Sequence, residues 1–327
     1  MHEILLSDVF TLCFGPSTGP EILFCKRFRE SWDKLHSHEP NLGETPLIEV
    51  SASLQSFIMK QLTEKHPRDD YLELLQLAAY MVGLPIEAAV RRPGAVHRAR
   101  WMAKALYTLK IELLYSGNEK QIKLTGKKLL GIQRFNRFVI QIYLQAWFTC
   151  NSAVDAPIND LKLLDNLKQY EVEEIRATGI KWLTRHSWYI SPEMATLAIF
   201  STQLSCSEKQ ILVNDMTIER GQHLLTELPS GIADLHISRM FFNTVGLDDS
   251  FLSVPVEQWC QTESYKQALL TVNNLPCIND CAERGVALIE NCNNLTTDET
   301  QKQYVLQVVE KHRKTFVKLT TDELLNI

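Results

Sequence analysis

Residues 276–293 contain an acidic side chain, Glu283, whose spacing allows two kinds of chemistry. Asp280 stands three residues before Glu283, and apolar residues at helical spacing follow, which is the pattern of a capping box. In that role the two side chains would satisfy backbone N–H groups at the start of a helix. Together with carboxylates from elsewhere in the fold, Glu283 would instead bind divalent metal ions. The local pattern leaves both interpretations open.

Residues 91–137 could bind phosphates, because twelve Lys or Arg stand there against two acids in a chain whose net charge is −5. Such a segment attracts nucleic-acid backbones and makes affinity depend on salt. Trp101 follows Arg100, and an aromatic ring beside guanidinium groups is suited to stacking on an unpaired base. The candidate nucleic-acid-binding residues are Arg91, Arg92, Arg98, Arg100, Trp101, Lys104, Lys127, Lys128, Arg134 and Arg137. The alternative is that these charges cover solvated helix faces and that Trp101 lies in the core.

Composition indicates a folded globular protein, since 45% of the 327 residues are hydrophobic and 22% are charged. The eight cysteines are scattered and no secretory leader is visible, so we expect reduced thiols in the nucleus or cytoplasm. Cys277, Cys281 and Cys292 lack the spacing of a zinc site. No segment is long and uncharged enough to predict a membrane span.

The elements that must position these residues are predicted to be helices, because apolar residues recur at intervals of three and four. No series of alternating strands is found, so the predicted fold class is mainly α, a multi-helix array. We expect a helical domain over residues 1–275 and C-terminal helices bearing Glu283 over residues 276–327. The clearest predicted helices are Trp101–Leu114, Gly131–Thr149, Ile158–Tyr170, Val172–Arg185 and Tyr304–Phe316.

Three segments together resemble the C-terminal half of a family of transposase-like reading frames from invertebrate mobile elements, akin to hAT transposases. They are AVHRARWMAKALYTLKI at 95–111, AWFTCNSAVDAPINDLKLL at 146–164 and NDCAERGVALIENCN at 279–293. The resemblance covers nearly the whole chain. It implies a helical insertion domain joined to an incomplete ribonuclease-H-like core.

In hAT-like enzymes two aspartates and a late glutamate hold the catalytic metal ions. The resemblance matches that glutamate to Glu283 and the family's DNA-contacting Arg-Trp pair to Arg100 and Trp101. It therefore implies Mg²⁺ as the cofactor of a complete transposase. We expect both aspartates to lie outside this chain, so no cofactor is expected in the chain alone. Asp69, Asp70 and Asp160 are interpreted as caps or solvent-facing acids rather than as replacements.

The preferred hypothesis is a transposase-derived protein without strand-transfer activity of its own that retains DNA binding, self-association or both. One alternative is a helical protein-interaction scaffold with no nucleic-acid role. The other is part of an active DNA transposase. The motifs of dinucleotide binding, of P-loop phosphate binding and of zinc or serine hydrolases are missing from the sequence, and no small-molecule substrate is indicated.

Overall fold

A computed structural model describes residues 2–16, 22–39, 46–66, 69–94, 102–150, 152–185, 196–217 and 242–275. All of them belong to the first of the two units into which the chain divides, Met1–Asn279. Helices account for 72% of the described residues, and none of these residues forms a strand. The predicted mainly α class is confirmed.

The described residues form a series of α-helices. They are α1 (His2–Phe14), α2 (Leu23–Ser31), α3 (Ala52–Thr63), α4 (Asp69–Met81), α5 (Met102–Tyr115), α6 (Glu119–Ile122), α7 (Gly126–Phe138), α8 (Leu144–Phe148), α9 (Ala156–Gln169), α10 (Glu173–Arg185), α11 (Cys206–Thr217) and α12 (Glu263–Asn273). Short 3-10 segments occupy Trp32–Lys34, Thr196–Phe200, Ser250–Ser253 and Val256–Gln261. None of the described helices is both long enough and apolar enough to cross a bilayer.

Polar side chains fix several helix starts. The hydroxyl of Ser51 accepts the N–H of Leu54 before α3, and Thr125 accepts the N–H of Lys128 before α7. At α11 the Glu208 carboxylate and Ser205 form a reciprocal capping box. These contacts satisfy N–H groups that the first turn of a helix leaves without partners.

The main hydrophobic core surrounds α5, of whose 14 residues 11 are buried. Helix α5 packs between α4 and α7, and α1 packs against α7 and α10. Phe135 and Phe138 on α7 are fully buried in this core. Burial of each such side chain contributes about 1.5–3 kcal/mol, so packing rather than helix propensity holds the array together.

The predicted helix over Gly131–Thr149 is confirmed as continuous helical backbone with one difference. A π-helical segment, Val139–Tyr143, separates α7 from α8. Val139 and Ile140 are consecutive and both are fully buried. Gln141 is the one residue of this segment that is partly exposed, and the other four are buried, so a pattern of one apolar face could not reveal the wider turn.

A second, smaller core lies after α10 and is rich in aromatic side chains. The Phe251 ring contacts Phe200, Phe242, Trp259 and Tyr265, with ring centroids 5.1–6.2 Å apart. Most of these rings stand on 3-10 segments or short connections. The second core meets the main array where Thr196–Phe200 packs against α9.

Candidate nucleic-acid interface

Some of the predicted interface lies outside the described residues. These positions are Arg98, Arg100 and Trp101, and the predicted catalytic and metal-binding residue Glu283 lies outside the described residues as well. The seven other candidate residues, Arg91, Arg92, Lys104, Lys127, Lys128, Arg134 and Arg137, are described, and the structure places them in different surroundings. The local charge of residues 91–137 is therefore not a measure of the charge that one surface offers to a ligand.

Lys104 contacts side chains of a neighbouring helix. It is half-buried on α5, its Nζ donates to the Ser7 hydroxyl at 2.9 Å, and it stands 5.1 Å from the centre of the Phe10 ring. Burial lowers the pKa of this amine, although Asp8 opposes that shift. Lys104 thus joins α5 to α1, and its charge is only partly available at the surface.

The charge of Lys110 is even less available at the surface than that of Lys104. It belongs to the basic segment, yet its side chain is 3% exposed and its Nζ lies 2.6 Å from the Glu73 carboxylate. Burial lowers the pKa of Lys110 and the ion pair with Glu73 raises it. One of the twelve cations counted in residues 91–137 is therefore neutralised inside the core.

Two arginines of the predicted set make exposed ion pairs. Arg92 contacts Asp33 at 2.8 Å, and Arg137 contacts Glu171 at 2.7 Å. The Glu171 carboxylate raises the pKa of Arg137. Exposed pairs of this kind contribute about 0–1 kcal/mol, so a phosphate can displace either carboxylate at low cost.

The segment that carries Arg91 and Arg92 has no regular secondary structure but is held to the core. The Tyr107 hydroxyl donates to the Gly94 carbonyl, and the Tyr80 hydroxyl donates to the Ala88 carbonyl. Arg91 is exposed at this position. Tyrosines of α4 and α5 therefore fix the backbone on both sides of the candidate arginines.

Four cations line a groove between α2 and α6, which has a volume of about 580 Å³. Arg27, Lys34, Lys120 and Lys123 line it, and Glu30 is the one carboxylate among its lining residues. We call it the α2–α6 groove. Two of its lysines come from the basic segment, while Arg27 and Lys34 come from a part of the chain that the sequence analysis did not select.

Lys123 has an uncommon backbone conformation. Its φ of 48° is in the left-handed region, and no other non-glycine residue among those described has a positive φ. The Lys123 N–H donates to the Glu119 carbonyl and ends α6, while the neighbouring Ile122 is buried. Such a conformation costs on the order of 1 kcal/mol and requires support from the surrounding structure.

Asn118 joins the two parts of the chain that line the groove. It is 3% exposed, and its side-chain oxygen accepts the His36 backbone N–H at 2.7 Å. Its amide nitrogen donates to the carbonyls of Leu114 and Ser37. These bonds fix the backbone at His36 and Ser37, shortly after Lys34, to the turn that precedes α6.

No family model, curated protein or solved structure matches the chain. Among the described residues there is no group of three or more His, Cys, Asp or Glu side chains that could hold a metal ion. The predicted metal ligand Glu283 lies outside those residues.

Arg134 and Arg137 line a different cavity, of about 320 Å³, together with Glu112 and the exposed Leu47 and Leu130. Glu112 accepts a hydrogen bond from the Asn136 amide at 2.6 Å. Burial raises the pKa of Glu112, and the hydrogen bond from Asn136 opposes that shift. This cavity has two cations against one carboxylate and is partly apolar, whereas the α2–α6 groove has four cations against one carboxylate, so the cavity is less suited to a phosphate.

The sequence contained a weak signal for the missed half of the groove. Residues 26–34 include Lys26, Arg27, Arg29 and Lys34, but Glu30 and Asp33 stand among them and reduce the local charge. Folding separates these charges. Asp33 pairs with Arg92, whereas Arg27 and Lys34 line the groove. A count along the sequence could not anticipate that separation.

Proposed function

We propose that this chain is a transposase-derived protein that binds nucleic-acid phosphates through the α2–α6 groove and has no strand-transfer activity of its own. The observation that carries the proposal is the meeting of four cations from two distant parts of the chain around one concave surface. Arg27 and Lys34 contribute one side, and Lys120 and Lys123 contribute the other. One carboxylate, Glu30, accompanies them.

The composition of the groove fits a phosphate backbone better than it fits a neutral ligand. Like charges held close together repel, and this costs stability unless an anion or counterions compensate. Nucleic-acid backbones supply phosphates in series and release counterions when cations replace them. The hydrogen bonds of Asn118 hold the groove walls together before any ligand binds, which lowers the entropy cost of binding.

The binding experiment compares two double variants that change the net charge equally. Lys34→Gln/Lys120→Gln removes two cations from the groove. Lys60→Gln/Lys266→Gln removes two exposed cations of α3 and α12 that do not line it. Affinity for a fluorescent duplex and for a single strand of the same sequence is measured by anisotropy over a series of salt concentrations.

We expect the groove variant to bind at least about tenfold more weakly than the unmodified chain at low salt, with the slope of log K against log salt smaller by about two units. The control variant should stay within about twofold of the unmodified chain, because loss of general charge alone has a small effect. Equal weakening by both variants would place the binding outside the groove, and absence of binding at low salt would overturn the proposal.

The absence of strand transfer is tested through Glu283. By resemblance this residue is the third acid of a two-metal site, and the resemblance matches no residue of this chain to the other two acids. Incubation of the chain with supercoiled DNA and Mg²⁺ or Mn²⁺ should give no nicking above a metal-free control. Nicking that Glu283→Gln abolishes would instead assign the chain to an active transposase.

A protein-interaction scaffold is the second candidate, and the ion pairs of the basic segment favour it. Arg92, Lys110 and Arg137 each contact a carboxylate of the same chain, as expected for charges that serve the fold or a protein surface. Self-association through exposed apolar residues such as Leu130 would then be the activity. Sedimentation velocity of the unmodified chain and of Leu130→Ser tests it, since a scaffold of this kind dissociates in the variant while the groove variants leave it intact.

A further inference from the structure

The cavity beside α7 combines charged and apolar walls. Leu130, Arg134 and Arg137 line it from one face of α7, since they stand four and seven residues apart. Glu112 of α5 lines it as well. We call it the α7 cavity. Its volume of about 320 Å³ lies at the lower end of the roughly 300–1,000 Å³ that small-molecule sites occupy.

The Glu112 carboxylate has one oxygen without a donor. Oε2 accepts from the Asn136 amide at 2.6 Å, whereas no described residue donates a hydrogen bond to Oε1. Burial raises the pKa of this carboxyl, so its surroundings disfavour the charged form. An ammonium group in the cavity would supply both a compensating charge and the N–H donor that Oε1 lacks.

The two arginines of the α7 cavity differ in their present partners. The Arg137 guanidinium donates to Glu171 at 2.7 Å, so a carboxylate already compensates its charge. Arg134 is exposed and forms no ion pair with any described residue. Arg134 can therefore bind the carboxylate of a ligand through two parallel N–H donors without displacing a partner.

Two large apolar side chains in the same cavity are open to solvent. Leu47 is 45% exposed and Leu130 is 52% exposed, and both line the cavity. An apolar group that covers them would remove hydrocarbon surface from water. A phosphate has no such group, and a plain hydrocarbon would leave Glu112 and Arg134 without partners.

We infer that the α7 cavity binds a small ligand that carries an ammonium group and a carboxylate on an apolar body, as an apolar α-amino acid or a short apolar peptide does. The ammonium contacts Oε1 of Glu112, the carboxylate contacts Arg134, and the apolar side chain covers Leu47 and Leu130. Glu112 meets α7 at Asn136, two positions after Arg134, so one small molecule can reach both charges.

The experiment uses probes that differ by one group at a time. Isothermal titration calorimetry of the full chain compares leucine with the dipeptide leucyl-leucine, each also in an N-acetylated form without the ammonium and in an amidated form without the carboxylate. Glu112→Gln and Arg134→Gln each remove one charge from the cavity. Lys60→Gln removes an exposed charge of α3 outside the cavity and is the control.

We expect acetylation or amidation to weaken binding at least about tenfold, because each removes a charged hydrogen-bonding group. Glu112→Gln should weaken binding of the unmodified probe to a similar extent but leave binding of its acetylated form unchanged, since the two changes remove the same contact. Arg134→Gln should have the same relation to amidation. Lys60→Gln should stay within about twofold. The tighter of leucine and leucyl-leucine identifies free amino acids or peptides as the source of the ligand.

Three results would overturn the inference. One is that neither leucine nor leucyl-leucine binds at concentrations up to about 10 mM. Another is that the capped probes bind as tightly as the unmodified ones. The third is that the effects of capping and of the matching variant simply add. Circular dichroism of each variant checks that it is folded, and none of these results depends on whether the α2–α6 groove binds nucleic acid.

Discussion

The side-chain oxygen of Asn118 accepts the backbone N–H of His36 at 2.7 Å and connects residues 82 positions apart in the sequence. This bond joins the chain after Lys34 to the turn before α6. It links the two basic parts of the chain that line the α2–α6 groove. Each part contributes two of the four cations there. The groove is thus a product of one buried amide and the helices on either side of it.

Replacement of Asn118 by Leu should weaken both stability and nucleic-acid binding. The variant loses three hydrogen bonds and leaves backbone groups of His36, Ser37 and Leu114 without partners, at about 1–3 kcal/mol for each group that stays buried. Urea denaturation gives the stability. At temperatures where the variant is folded, affinity for duplex DNA should still be lower than that of the unmodified chain, and equal affinity would show that the hydrogen bonds of Asn118 do not shape the groove.

The buried pair of Lys110 and Glu73 predicts a strong coupling between two substitutions. Lys110→Met leaves the Glu73 carboxylate in the core without its cation, at a cost of about 3–5 kcal/mol. The double variant Lys110→Met/Glu73→Leu should recover most of that loss because no charge remains. Urea denaturation of both single variants and the double variant measures the coupling, and simple additivity would contradict the role assigned to the pair.

Glu112 predicts a pH dependence with a definite sign. Burial raises its pKa in the folded state above the ordinary value of 4.5. The stability that the protonated form contributes is therefore fully present below pH 4.5 and is lost as the pH rises through the raised value. Glu112→Gln keeps an oxygen that can accept from Asn136 and removes the charge.

We expect Glu112→Gln to be more stable than the unmodified chain at pH 7 and equally stable below pH 4.5. Thermal denaturation gives the melting temperature of the variant and of the unmodified chain at each pH. Their difference cancels the contribution of the other carboxylates, which both chains share. A difference that grows as the pH falls would have the wrong sign for a group whose pKa is raised.

Two glycines of α7 form a matched pair for testing the contact between α1 and α7. A Cβ at Gly131 would lie 3.0 Å from the Phe14 ring and 3.2 Å from the Cys13 carbonyl, whereas a Cβ at Gly126 would meet nothing within 4 Å. Gly131→Ala should lower the free energy of unfolding by about 1–3 kcal/mol in spite of better helix propensity. Gly126→Ala should be neutral or stabilising. Chemical denaturation of both variants checks the prediction, which fails if they respond alike.

Periodicity along the sequence predicted several helices closely. The helix predicted over Ile158–Tyr170 is α9, Ala156–Gln169, and the one over Val172–Arg185 is α10, Glu173–Arg185. Asp69 and Asp70, interpreted as caps or solvent-facing acids, lie in the first turn of α4. These features are local, because spacing of apolar residues and first-turn acids depend on neighbours within a few residues.

The interpretation of Asp160 as a cap or solvent-facing acid was wrong. Asp155 is the residue before α9, and Asp160 lies one turn further in, where it is buried against His2. The sequence pattern gives the helix, but it does not tell which neighbour covers a polar side chain. Here α1, the first helix of the chain, covers Asp160 through His2.

The sequence by itself determined a mainly helical chain, the extents of helices such as α9 and α10, and a positive segment in an acidic protein. The tertiary structure alone decided which charges share a surface. It buried Lys110 against Glu73, paired Arg92 with Asp33, and joined Lys120 and Lys123 to Arg27 and Lys34. The physical reason is that helix formation is governed by contacts a few residues apart, whereas charge pairing and burial depend on contacts between helices that the sequence holds far apart.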